Sequence, residues 1–126
     1  FISDSIQPII DANLCEFVDT NKVICEEVYL EPTPGHTPGH VSVRIQSEGD
    51  CAVITGDFLH HPCQMEKPDW ECTADWNKEM AKQTRIETLA AYAKEKILVF
   101  GTHFASPSVG RVIKKGKHFQ FEAYLD

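Results

Sequence analysis

An eight-residue loop, Thr33-Pro34-Gly35-His36-Thr37-Pro38-Gly39-His40, constrains this chain more than any other feature. Its prolines fix φ and its glycines open backbone angles closed to other residues, so the loop holds one shape. It follows the alternating run Val28-Tyr29-Leu30-Glu31, which reads as a half-buried strand. Two more turns repeat the design. Thr55-Gly56-Asp57 ends the apolar run at 51–55, and Gly101-Thr102-His103 ends the one at 97–100. Each places a potential metal ligand at the mouth of a turn after a strand. The set of two imidazoles and a carboxylate suits zinc or a similar borderline metal. A carboxylate between two imidazoles can also bridge two cations about 3.5–4 Å apart, the separation used in two-metal hydrolysis.

The rest of the chain supplies a scaffold for these turns. Residues 3–12 begin with a capped helical turn, and residues 15–19 and 23–31 read as strands around a turn at 20–21. Val41-Ser42-Val43-Arg44-Ile45 alternates strictly, as a strand with one buried face does. The run at 51–55 is continuous and predicts a central strand buried on both faces. Asp75 is placed to cap a long helix over 76–94, whose buried stripe is Ile86, Leu89, Ala90 and Ala93. Residues 97–100 form a short buried strand, and a hairpin around Gly116 closes the chain.

The three motifs resemble the second half of the metallo-β-lactamase superfamily, especially its lactonase-like and methyl-parathion-hydrolase-like branches, with glyoxalase II a more distant relative. The resemblance covers residues 27–111. It implies a zinc ligand at His36, a bridging carboxylate at Asp57 and a late ligand at His103, with two metals in a complete site. It also implies hydrolysis of a lactone, ester, thioester or phosphotriester, with Asp57 and His60 in the catalytic set. His60 stands where lactonases often carry a tyrosine, so either it or His61 lines the pocket. The family position matching His40 does not bind metal, and His40 is read as structural.

The family's first-half loop, His-x-His-x-Asp-His, does not occur in the 126 residues. The expectation is a single domain, 1–126, forming one αβ half of the αββα sandwich: a mixed sheet, one long helix and a C-terminal hairpin. Activity by this chain alone is then weak or absent, and the apolar sheet face left bare drives a homodimer or higher assembly. The alternatives are a truncated, non-catalytic module that binds metal or a partner protein, and a site completed by another polypeptide.

Composition narrows the partners. Twelve basic against nineteen acidic side chains give a net charge of −7, which argues against a nucleic-acid partner. No apolar run approaches the ~20 residues that span a bilayer, and no charged-then-apolar stretch reads as a secretory leader. Five cysteines without Cys-x-x-Cys spacing read as reduced thiols of a cytoplasmic protein, with Cys63 a small packing residue. Trp70, Trp76 and Phe104 read equally well as a substrate wall or as packing. Arg85 either pairs with a buried carboxylate or is solvated, and His118 is exposed.

Overall fold

A computed structural model describes residues 2–124. A short helix α1, Gln7–Asp11, precedes one six-stranded sheet. The strands β1 Val28–Pro32, β2 Val41–Ser47, β3 Asp50–Ile54, β4 Leu98–Phe100, β5 Val109–Lys115 and β6 His118–Ala123 lie side by side in chain order. Every neighbouring pair is antiparallel except β3 and β4. A parallel pair needs a crossover, and this one carries the helices α2 Cys63–Glu66 and α3 Lys78–Glu95. This is the mixed α+β half-sandwich that the sequence predicts.

Strand direction decides where the three motifs go. β1 and β3 are both antiparallel to β2, and β4 is parallel to β3, so β1, β3 and β4 point the same way. Their C-terminal ends share one sheet edge, and the loops bearing His36, Asp57 and His103 all open there.

The two faces of the sheet differ. Val53, Val99 and Val112 pack with Leu89 and Tyr92 of α3 and with Phe58, Leu59 and Met65 to form the core. Cross-strand pairing puts Val28 beside Ile45, Leu30 beside Val43, Ile54 beside Val43 and Phe100, and Ala52 beside Ile45 and Leu98 on the other face. None of these eight apolar residues is fully buried, and Ile54 is 40% exposed. This is the face that the expected homodimer would have to cover.

Several local expectations change, and the strand read at 23–31 begins only at Val28. The run at 51–55 is central but not buried on both faces, because its second face is the bare one just described. Residues 15–19 form no strand; residues 12–27 are exposed, with a single isolated bridge from Val23 to Tyr29. In α3 the capping residue is Asn77, whose Oδ1 accepts from the Met80 N–H at 3.0 Å, while Asp75 is engaged elsewhere.

The buried stripe of α3 is Ala81, Thr84, Arg85, Leu89 and Tyr92, with Ile86 and Ala90 exposed. The stripe turns because Thr84 and Arg85 are needed inward. Thr84 Oγ1 donates to the Pro34 carbonyl at 2.6 Å, and Arg85 Nε donates to the Pro68 carbonyl at 3.0 Å. Leu89 and Ala93 of the expected stripe do pack on the core, but a helix that tethers loops through hydrogen bonds also buries polar residues, which an apolar-periodicity reading misses.

Candidate metal centre

The Pro-Gly-His loop is clamped onto the start of α3. The Trp76 N–H donates to the His36 carbonyl at 3.1 Å and the Asn77 N–H to the Gly35 carbonyl at 3.0 Å. Gly35 has φ +134°, and a Cβ there would lie 2.4 Å from the Ala81 Cα, so only glycine allows this approach. The other two loops are latched to each other. Thr102 Oγ1 accepts from the Gly56 N–H at 3.0 Å, and Thr55 Oγ1 accepts from the Thr102 N–H at 3.2 Å. Two threonines thus set the spacing between Asp57 and His103.

The three predicted ligands meet. Asp57 Oδ2 lies 3.3 Å from His36 Nε2, and Asp57 Oδ1 lies 2.8 Å from His103 Nε2. One carboxylate thus presents an oxygen to each imidazole. His36 Nδ1 lies 3.1 Å from the carboxylate Oδ1 of Asp75, which can only accept, so Nδ1 carries the proton. The free His36 Nε2 and Asp57 Oδ2 are then two acceptors in contact. Such a contact is stable with a cation between them, either a proton or a metal ion. The donor set of imidazole nitrogens and carboxylate oxygens is one that zinc accepts.

Electrostatics keep Asp57 ready for a cation. Burial pushes its carboxyl up, but the His103 hydrogen bond and the charges of His103, His36 and His60 outweigh burial, and it ends below its ordinary value. His40 has a different role. Its Nε2 accepts the Asp57 N–H at 2.8 Å, so its Nδ1 is the N–H that meets the Thr33 carbonyl at 3.0 Å. Both nitrogens are used by the backbone, and burial pushes the ring below its usual range, keeping it neutral. His40 therefore braces the Asp57 turn, and Gly56, with φ +60°, leaves room for its ring.

His60 sits above the ligands. Its ring stacks on His103 with centroids 4.9 Å apart and tilts against His36 at 5.2 Å. Burial, then the His103 charge, lowers its pKa, and its Nδ1 is buried without a hydrogen-bond partner. Two groups of metal-capable atoms include it. Asp57, His60 and His103 form one; His36, His60 and Cys72 form the other, and in each group the donor atoms lie within 4.8 Å of one another. His61 is exposed and its Nδ1 accepts the Cys63 N–H at 3.1 Å, so it does not join them.

Sequence reasoning missed Asp75 and Cys72. Asp75 was read as a helix cap, yet its side chain is wholly buried and holds the ring of His36, while its Oδ2 lies 3.4 Å from Arg85 Nη1. A carboxylate that fixes the tautomer of a ligand histidine is a recurring device at metal sites. Arg85, ten residues downstream and already weighed as the partner of a buried carboxylate, was the available signal. Cys72 had no local signal, because its loop reaches the site only through the fold. Of the aromatics weighed as a substrate wall, Phe104 is buried in the core, packing edge-on against Phe121, while Trp70 and Trp76 are exposed.

Three loops at one sheet edge bring an acidic side chain between two histidines, with a second carboxylate behind the first histidine. The chain belongs to the metallo-beta-lactamase superfamily, whose model matches residues 9–120. Comparison with curated proteins gave no match. Among solved structures, the chain is similar to the hydrolase AbOPH, described as in the beta lactamase superfamily: 24% identity, TM-score 0.90, covering 99% of this chain and 43% of that one. That likeness concerns the fold. It is also similar to AidC, a dizinc quorum-quenching lactonase in complex with a product: 26% identity, TM-score 0.81, covering 95% of this chain and 42% of that one. AiiA of B. thuringiensis, with N-decanoyl-L-homoserine at its active site, matches at 25% identity and TM-score 0.61, covering 73% of this chain and 36% of that one. The chain thus spans less than half the length of these structures. No helix among the described residues is long and apolar enough to cross a membrane.

Proposed function

We propose that this chain supplies His36, Asp57 and His103 to the two-metal centre of a hydrolase acting on a lactone, ester or phosphotriester, and that residues 1–126 form the C-terminal half of that enzyme's fold. The observation that carries the reading is the Asp57 carboxylate, with one oxygen 3.3 Å from His36 and the other 2.8 Å from His103. A carboxylate so placed can serve one cation on each side. Zinc ions held there supply a water of lowered pKa and positive charge against a developing oxyanion.

The chain's own groups do the rest. Asp75 holds the His36 ring with Nε2 toward the centre, and His40 holds the Asp57 turn. His60, stacked on His103, is placed to meet a substrate oxygen, and its neutral ring can donate one hydrogen bond. The likeness to AidC and AiiA favours a lactone among the candidate substrates. The bare apolar sheet face is where the other half of the fold packs. A second reading, a non-catalytic metal-binding module, is favoured by one observation: the 126 residues contain no His-x-His-x-Asp-His loop.

Hydrolysis of an acyl-homoserine lactone, an aryl ester and a phosphotriester, each with and without zinc, separates the readings. The hydrolase reading expects slow, zinc-dependent turnover that falls to background in Asp57→Ala. Turnover that needs zinc but ignores Asp57→Ala would overturn the assignment. Zinc binding without any turnover supports the non-catalytic module.

A further inference from the structure

The cluster of His36, His60 and Cys72 is not needed for the hydrolytic centre, which takes only the first as a ligand. One donor atom of each lies within 4.8 Å of the others, and all three side chains are half-buried. A single carboxylate presets two of them, and the His60 N–H donates to Gln64 Oε1 at 2.8 Å. Asp75 Oδ1 accepts from His36 Nδ1 at 3.1 Å, and its Oδ2 accepts from the Cys72 N–H at 3.3 Å. The Asp75 N–H in turn donates to the Cys72 carbonyl at 3.1 Å, closing the turn, and Arg85 holds the carboxylate from behind.

Two further observations point to a ligand. His60 Nδ1 is buried with no hydrogen-bond partner, which costs free energy that a bound cation would remove. Beside it lies a cavity of about 280 Å³ lined by His60, Gln64, Trp70 and Cys72, which gives an ion a way in.

We propose that His36, His60 and Cys72 form a second cation site, built from two imidazoles and a thiolate. Sulfur makes it a site for a soft or borderline cation: zinc, cadmium or copper(I) rather than magnesium or calcium. Two nitrogens and a sulfur around tetrahedral zinc stand about 3.3–3.5 Å apart, given Zn–N near 2.0 Å and Zn–S near 2.3 Å. From within 4.8 Å, the groups need to close by at most about 1.5 Å to reach that spacing. On binding, the Cys72 thiol releases its proton to solvent and the thiolate forms the metal–sulfur bond. The site shares His36 with the proposed hydrolytic centre, so the two compete for that ring. It does not depend on the hydrolytic reading, because neither Asp57 nor His103 takes part.

Cobalt(II) titration of the chain under anaerobic conditions reads the thiolate directly. The expected result is a thiolate-to-cobalt charge-transfer band in the near ultraviolet. That band is lost in Cys72→Ser and retained in Cys63→Ser and in Asp57→Ala, the last variant separating this site from the hydrolytic one. Cobalt binding with no such band, no binding at all, or a band that survives Cys72→Ser would overturn the proposal. A readout on unmodified protein guards against a misfolded variant. Zinc should slow alkylation of Cys72 by iodoacetamide about tenfold while sparing the exposed Cys25. Equal rates at Cys72 with and without zinc would also overturn it.

Discussion

Replacing Arg85 by methionine lowers stability by about 3–5 kcal/mol, because it leaves the buried Asp75 carboxylate without its cation. Both side chains are wholly buried, and Arg85 also donates to the Pro68 carbonyl. Methionine fills much of the arginine's volume, so the loss reports the charge and its hydrogen bonds rather than a cavity. On total stabilities of about 5–15 kcal/mol this is a large fraction, and in melting temperature it is on the order of 10–20 °C. Adding Asp75→Asn recovers part of the loss. The neutral amide carries no buried charge, and its single oxygen still accepts from one of the two N–H groups, His36 Nδ1 or Cys72 N, that the carboxylate accepts with separate oxygens. Thermal denaturation of the two single variants and the double variant completes the cycle. An Arg85→Met chain within about 1 kcal/mol of the parent would mean the pair is not a structural anchor.

Gly35→Ala costs about 2–5 kcal/mol and displaces His36, the sum of backbone strain and overpacking. At φ +134° a side chain is strained whatever its surroundings, and here the new Cβ also meets backbone atoms of Ala81 at 2.4 Å. Backbone cannot rotate aside as a side-chain tip can, so the loop or the start of α3 must shift. That shift breaks the Trp76 and Asn77 hydrogen bonds that seat the His36 loop. Gly49→Ala is the internal control: its φ is +91° but nothing lies within 4 Å of the added Cβ, so it pays strain alone. Denaturant unfolding of the two variants side by side checks this. Equal losses would refute the packing argument.

What could be read from the sequence follows from how local each signal is. The Pro-Gly-His loop and the turns at Asp57 and His103 carry their own backbone instructions, and the structure brings all three candidate residues to one edge. Strict alternation found β2, and the hairpin around Gly116 found β5 and β6. The buried face of α3 was read only in part, at Leu89 and Ala93, because polar residues occupy the rest of it to tether Pro34 and Pro68, partners 50 and 17 residues away. Asp75 looked like a cap because capping and ligand support use the same carboxylate chemistry. Only the closing of the 72–75 turn over His36 distinguishes them. The strand expected at 15–19 failed because no neighbouring strand pairs with it, and β-propensity alone does not supply one.

The central claim is that His36, Asp57 and His103 act together as a metal-binding edge. Zinc binding by chelator competition tests it most directly, measured in the Cys72→Ser background so that the thiolate does not report. The account predicts that Asp57→Ala and His103→Ala, added singly, each weaken zinc binding by about tenfold or more. Zinc affinity unchanged by both substitutions would contradict it.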